Sequence, residues 1–599
     1  MEKIIELCNN KLTEKNYEGF AALESPTGTG TGKTLSLLCS ILSWVNEMKI
    51  RKQNNYNGKI IYTTRTHSQI NQVINELKKT TYKPKTAILS SRKFSCINHG
   101  LRNFCKDKTE KLDINRLNIV CRNSRKNCDY KNDKIVESQF LPENTLIDIE
   151  DLCLEGKQKF FCPYYFEKEK VKNNAELILM PYNYLFNEDI LKNLNLNLNN
   201  NIIIIDEAHN IRKVCENEKS FEISENDNDI DKELCSLINK RKKLEISSEE
   251  LLNTISEEEI SQLKSLVEQI KIKICNISLE NIYLNNGKNI SFKELKNLII
   301  SSKKSIDNST NVDNEIDEKF EKVSFDKNII TLKMLKSCYE FYKSKESKIL
   351  LIIKLFSILN EFLIAPIIEN SYCLYICEEQ IRENIAFNYE RKLKVFCFNP
   401  EMTFREITQN KPFAIILTSG NLKPFDILEK ELCIKFNVRF ENNHLINDDQ
   451  FKFTIITGAE YKNQVKEFKF DFYNRNNEEM ILSLGNLLIN LCKLNNNGGI
   501  LVFFPSYAFL NKCYTIWNSN EINKKIEQYK SINLDSYSFN LLPNKIMKSD
   551  NKNFILFSVY RGSSSEGIDF SYDNARMVIC IGFPFANVGS DIIKKKLSN

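Results

Sequence analysis

Three groups of residues are of a type and spacing that could do chemistry: a glycine-rich loop, a carboxylate pair and a spread of cysteines. The loop reads Ser25-Pro26-Thr27-Gly28-Thr29-Gly30-Thr31-Gly32-Lys33-Thr34 and follows an apolar run. Between a strand and a helix, such a loop lets backbone N–H groups close around phosphates, and the helix N-terminus adds its positive dipole end. Gly30, Thr31 and Gly32 would cradle the phosphates, Lys33 would reach the β- and γ-phosphates, and the Thr34 hydroxyl would ligate Mg²⁺. Much later, Ile202-Ile203-Ile204-Ile205 leads into Asp206-Glu207-Ala208-His209. Asp206 is placed to hold Mg²⁺ and Glu207 to orient and deprotonate an attacking water. Alone, a carboxylate pair after a strand says little. Together with the Lys33 loop it specifies hydrolysis of a nucleoside triphosphate.

Between these two motifs lie Cys96, Cys121, Cys128 and Cys162. Thiolates are soft ligands, and four of them suit either a [4Fe–4S] cluster or tetrahedral zinc. The spacing leaves the two undecided, because no C-x₂-C pair is present. Chance placement is the bland alternative in a chain with 19 cysteines.

The elements that must position these groups follow from hydrophobic patterning. Short apolar runs at Gly19–Glu24, Lys59–Thr64, Glu176–Met180, Ile202–Ile205, Phe413–Thr418, Gly499–Phe504, Phe554–Val559 and Met577–Ile581 read as buried strands. Helix-like stretches such as Thr34–Lys49 and Ser68–Lys79 alternate with them. This alternation predicts an α/β fold with two parallel-sheet domains. Between the two groups, Glu216–Asn388 reads as mostly helical, with Ser247–Ile274 and Thr331–Phe362 the clearest stretches. The expected layout is a first domain over residues 1–215, with a cysteine-bearing insertion at 92–165, and a helical insertion at 216–390. A last strand of the first domain follows in 391–430, and a second domain in 431–599.

A chain of 599 residues exceeds what one core usually serves. A net charge of +6 is small beside 84 basic and 78 acidic side chains, so composition alone announces no nucleic-acid partner. No apolar run approaches the roughly 18 to 20 residues of a membrane span, so no membrane partner is expected. Met1–Asn10 lacks the features of a secretory signal, which predicts reduced thiols.

The D-E-A-H string, with S-P-T-G-T-G before the lysine, resembles the XPD-like, iron–sulfur group of superfamily 2 helicases. Other segments agree in order: Thr64-Arg65-Thr66-His67-Ser68-Gln69, Cys162-Pro163-Tyr164-Tyr165, Met180-Pro181-Tyr182-Asn183-Tyr184-Leu185, Leu417-Thr418-Ser419-Gly420 and Arg561-Gly562 with Ser565-Glu566-Gly567-Ile568-Asp569-Phe570. The R-T-H-S-Q part is similar to the telomere-regulating branch of that group. The resemblance implies two RecA-like motor domains, an arch-like helical insertion, ATP with Mg²⁺, and a [4Fe–4S] cluster on the four cysteines. It also implies 5′ to 3′ translocation on single-stranded and junction DNA, partners among replication or repair proteins, and a nuclear role in repair, recombination control and telomere maintenance. Arg65 and Gln69 would then contact DNA, while His209, Ser419 and Gly420 would couple hydrolysis to movement. Gly567 and Asp569 would approach nucleotide and DNA from the second domain.

Four departures stand out. The phosphate loop carries an extra Thr-Gly, and Asn421 stands where the group has Thr. The glutamine-bearing adenine segment is not recognisable in Met1–Asn10, and the closing Q-x-x-G-R-x-x-R motif is absent. These predict a C-terminally incomplete second domain, with a hydrolysis-impaired DNA-binding or scaffold protein as the alternative to an active motor.

Overall fold

The computed structural model describes residues 1–14, 16–25, 32–50, 56–106, 112–123, 128–130, 146–173, 175–224, 288–291, 351, 354–355, 357–358, 370–383, 386–443, 449–471, 473–495, 497–534, 553–562, 570, 572–584 and 593. Two compact units emerge. The first is built from Met1–Ser25, Thr34–Arg65 and Ile74–Glu441, the second from Pro26–Lys33, Thr66–Val73 and Asn442–Asn599.

The first unit contains eleven of the described strands: β1 (Phe20–Glu24), β2 (Ile60–Thr64), β3 (Thr86–Ile88), β4 (Leu177–Pro181), β5 (Ile202–Asp206), β6 (Phe221–Ser224), β7 (Lys288–Ile290), β8 (Tyr372–Glu383), β9 (Ala386–Cys397), β10 (Ala414–Ser419) and β11 (Val438–Glu441). Seven form one parallel sheet in the order β11-β1-β10-β5-β2-β4-β3. Strands β2, β4, β5 and β10 are buried along their whole length, which is why they read as unbroken apolar runs rather than alternating ones. Each fully buried Ile or Leu contributes roughly 1.5–3 kcal/mol. Gly19 leads into β1 at φ +82°, where a Cβ would sit 2.7 Å from the Phe413 carbonyl oxygen, so the close approach of β1 to β10 depends on a glycine.

The eight apolar runs all fall on strands of parallel sheets, as expected for an α/β chain. The insertion differs from its expectation. Ser247–Ile274 and nearly all of Thr331–Phe362 lie outside the described residues. What is described at the margins of 216–390 includes, besides the helix Ile211–Lys219, an antiparallel sheet in the order β6-β9-β8-β7. Strand β9 crosses the expected boundary at residue 390 and belongs to this sheet, not to the parallel one. The helical reading failed here because Glu and Lys, which are good helix formers, serve as cross-strand partners. Lys392 sits 2.8 Å from Glu379, and Lys394 pairs with the same carboxylate. The parallel sheet also runs past residue 430, since β11 pairs with β1.

The second unit holds an antiparallel hairpin, β12 (Gly458–Tyr461) with β13 (Gln464–Glu467). It also holds a parallel sheet of β14 (Ile500–Phe504), β15 (Ser531–Leu534), β16 (Phe554–Val559) and β17 (Met577–Cys580), ordered β15-β16-β14-β17. The helices Glu478–Leu494 and Tyr507–Ser519 pack on it through Leu488, Trp517 and Phe504, all fully buried. Trp517 donates its indole N–H to the Ile481 carbonyl at 2.7 Å. Gly485 faces that ring: a Cβ there would lie 2.7 Å from Trp517 Nε1 and 2.9 Å from Ile522 Cδ1. Gly485→Ala should therefore destabilise this unit by about 1–3 kcal/mol, although alanine is the better helix former. A thermal melt that rises instead of falling would contradict this packing.

Candidate functional site

The site lies at the carboxyl ends of β1, β2, β5 and β10, which the parallel alignment brings to one edge of the sheet. The side of a parallel sheet outside its strand ends is where such folds bind ligands. Asp206 ends β5 and is 7% exposed. Its carboxylate accepts the Tyr62 hydroxyl at 3.0 Å on Oδ2 and the Glu207 backbone N–H at 2.9 Å on Oδ1. Burial, and then the Asp206 charge, push the Tyr62 hydroxyl well above its ordinary pKa, which keeps it a donor. The Thr34 side chain acts in the opposite sense and lowers the phenol's pKa, so two candidate Mg²⁺ ligands far apart in sequence, Thr34 and Asp206, both act on one buried phenol.

Glu207 turns the chain at φ +54°, a left-handed conformation that costs a non-glycine residue free energy and is found disproportionately at working sites. The turn brings its carboxylate to Ser419, whose Oγ lies 3.2 Å from Glu207 Oε2. His209 Nδ1 is 2.7 Å from the same Oγ, and Asn210 Nδ2 meets His209 Nε2 at 2.7 Å. Ser419 therefore bridges β10 to both members of the motif after β5. Gly420 and Asn421 follow, and the chain is then caught by Glu24 at the end of β1. Its Oε2 accepts the backbone N–H groups of Leu422 and Lys423, each at 2.7 Å. Neither Glu24 nor Tyr62 was foreseen. Both are read as site residues only once the strand order is known.

Lys33 and Thr34 open the helix Lys33–Ile50, half-buried, with Gly32 before them at φ +65°. Gly30 and Thr31 lie outside the described residues, as do Gly567 and Asp569. Arg65 follows β2 and is exposed, with Tyr182 between it and the carboxylates. Tyr182 itself is 4% exposed and packs in the core. Gln69 has a local task. Its side-chain oxygen accepts the Thr66 N–H at 3.1 Å while Thr66 Oγ1 accepts the Gln69 N–H at 3.4 Å, a reciprocal cap on the helix His67–Lys78.

The four cysteines are brought together. Cys96, Cys121, Cys128 and Cys162 all line one pocket, with Asn98, Tyr130 and Tyr165. Among the described residues, no three His, Cys, Asp or Glu side chains converge to the spacing of a single metal ion. Burial pushes the Cys162 thiol up to about 11 and raises Cys96 as well. Beside them Arg92, 8% exposed, lies 4.1 Å from the Tyr164 ring and donates to Asn118 and to the Tyr165 hydroxyl. Burial works against that charge, yet Tyr164, Cys121 and Tyr165 hold the guanidinium above its ordinary value. The pocket that the thiols line thus has a cation close to Cys121. Cys105 and Cys153 do not line it.

Two family models match: DEAD_2 over residues 62–228, and the helicase C-terminal domain over residues 488–599. The regulator of telomere elongation helicase 1 homolog of Caenorhabditis elegans is 27% identical over 682 residues, covering 100% of this chain and 65% of that protein. The mouse regulator of telomere elongation helicase 1 is 28% identical, covering 98% of this chain and 52% of its own length. This chain is similar to the XPD-like helicases over both matched segments. It spans about half to two thirds of the length of those relatives. A solved XPD helicase structure aligns over 100% of the chain at 20% identity with a TM-score of 0.48. Among the described residues of this XPD-like chain, no helix is long and apolar enough to cross a membrane.

Removing the Glu24 carboxylate would leave two backbone donors beside Ser419 without their acceptor. Glu24→Ala should cost about 1–3 kcal/mol. Glu24→Gln, which keeps an acceptor oxygen, should cost less. Chemical denaturation of the two variants checks the order, and equal losses would contradict it.

Proposed function

We propose that this chain is an ATP-dependent DNA helicase that moves 5′ to 3′ along single-stranded DNA. The single observation that carries the reading is the buried Asp206 carboxylate held by the Tyr62 hydroxyl at 3.0 Å, beside Glu207 and with Thr34 acting on the same phenol. It joins the start of the Lys33 helix to the D-E-A-H motif in the way a nucleotide–metal site requires. Lys33 would hold the β- and γ-phosphates, and Thr34 and Asp206 would hold Mg²⁺, which neutralises phosphate charge when bound. Glu207 would accept a proton from the water that attacks the γ-phosphorus as the bond to ADP breaks. Through Ser419, the state of that carboxylate reaches His209, which would pass it to the DNA-gripping residues Arg65 and Gln69. Gly30, Thr31 and Gly32 would close on the phosphates, Gly420 would follow Ser419 in the coupling, and Gly567 and Asp569 would act from the second domain.

The cysteine pocket fits a [4Fe–4S] cluster held by Cys96, Cys121, Cys128 and Cys162. Four thiols lining one pocket supply the soft ligand set such a cluster takes, and the resemblance to the iron–sulfur helicase group favours it over a zinc ion. The cluster would be structural, tying together the segments around residues 92–165. The names of the relatives support a part in regulating telomere elongation, and the proposal extends this to DNA repair, recombination control, the nucleus and replication or repair proteins as partners.

ATP turnover with and without single-stranded DNA tests the motor. Lys33→Ala should abolish it. Glu207→Gln should slow it by on the order of 10²–10⁴ while leaving nucleotide binding intact. No DNA-stimulated turnover in the parent chain, with DNA binding retained, would favour the scaffold reading. Strand displacement from 5′-tailed but not 3′-tailed duplexes is the expected polarity. For the cluster, purified protein should show broad visible absorption, with iron and acid-labile sulfide in equal amounts. Cys121→Ser should lose all three, and stoichiometric zinc without sulfide would overturn the assignment.

A further inference from the structure

Tyr62 is completely buried in the middle of a strand that is otherwise apolar or threonine, and a phenol there has to satisfy its hydroxyl. It pairs in register with Ile204, two residues before Asp206, so Tyr62 and Asp206 sit on the same face of the sheet. Its neighbour Thr63 faces the other way in the strand and donates to the Ile204 carbonyl at 2.9 Å, which fixes the two strands against slipping. The phenol reaches Asp206 Oδ2 at 3.0 Å, whereas Asp206 Oδ1 is already taken by the Glu207 N–H, and the Thr34 side chain acts on the same phenol.

We propose that Tyr62 is the positioning residue of the metal site, its hydroxyl holding Thr34 and Asp206 at the separation that Mg²⁺ requires before the ion and nucleotide arrive. The inference rests on the nucleotide reading above and adds to it. Asp206 is buried, so without a donor its carboxylate would rotate or draw in water. The phenol fixes which Asp206 oxygen is committed, next to the Thr34 side chain that acts on the same hydroxyl. Tyr62 touches neither phosphate nor attacking water in this role; it acts through the two ligands.

The test compares the parent chain with Tyr62→Phe, which keeps the ring and its packing, by titrating Mg²⁺ against binding of a fluorescent ADP analogue. The Mg²⁺ concentration at half-effect should rise about tenfold or more, as for other outer partners of metal ligands. Binding of the same analogue in EDTA should be unchanged. An unshifted Mg²⁺ midpoint overturns the positioning role while leaving the ATPase reading intact. A loss of binding that is equal in EDTA and in Mg²⁺ also overturns it, because that is the mark of a core residue alone. If the parent chain binds no nucleotide at any Mg²⁺ concentration, both readings fall. Should the phenylalanine variant not fold, Tyr62→Met, close in volume and without the hydroxyl, makes the same comparison.

Discussion

A carboxylate at the end of a fully buried strand is the constraint on which the first unit depends. Asp206 closes a run of four isoleucines, each 0% exposed, and it cannot be solvated from within the sheet. Such a charge persists only where donors are built around it. Strand β2 supplies the phenol on one side, and the chain's own reversal at Glu207 supplies a backbone N–H on the other. The left-handed turn at Glu207 is part of that arrangement. Because of it the second carboxylate points across to β10 and meets Ser419 instead of continuing along the strand.

The same edge shows which parts of a fold can be read from a chain and which cannot. Lys33, Thr34, Asp206 and Glu207 announce themselves because phosphate and metal chemistry demands particular residues at particular places relative to strand ends. The buried strands announce themselves because both their faces are covered. Tyr62 and Glu24 do not, since a tyrosine within an apolar strand and a glutamate at a strand end are ordinary in any sequence. Their significance depends on β2 lying beside β5 and β1 beside β10, which is a fact of topology. Strand β3, three residues long, and the edge strand β11, with only Val438 buried, are too short or too exposed to leave a pattern. In β9 the alternation Leu393, Val395, Cys397 was present all along. It was outvoted by Glu390, Lys392 and Lys394 in and just before that run, of which the two lysines pair across strands with Glu379 instead of along a helix.

The cysteines illustrate the converse. Their spacing in the chain carries little information, because loops and short helices of unequal length separate them. Packing collects them: the helices Arg92–Ser95, Ile114–Asn123 and Pro163–Asn173 meet around Arg92, whose fork spans Asn118 and Tyr165. A buried guanidinium between two tyrosine rings is a costly core for so small a region. It is also one that matches a pocket able to carry negative charge on its sulfurs.

Strand order has a consequence for synthesis. Strand β1 comes before the other strands of its sheet in the chain, yet its two neighbours are β10 and β11, the last of them. Gly19 and Phe20 are tied to Asn437, the former across 418 positions of sequence. At ribosomal rates of about 5–20 residues per second, the nascent β1 waits roughly 20–80 s for a partner. During that interval its N–H and C=O groups form an open template next to the glycine-rich loop. The strands β2, β4 and β5 can assemble meanwhile, so the nucleotide-loop strand enters a sheet that is already half built.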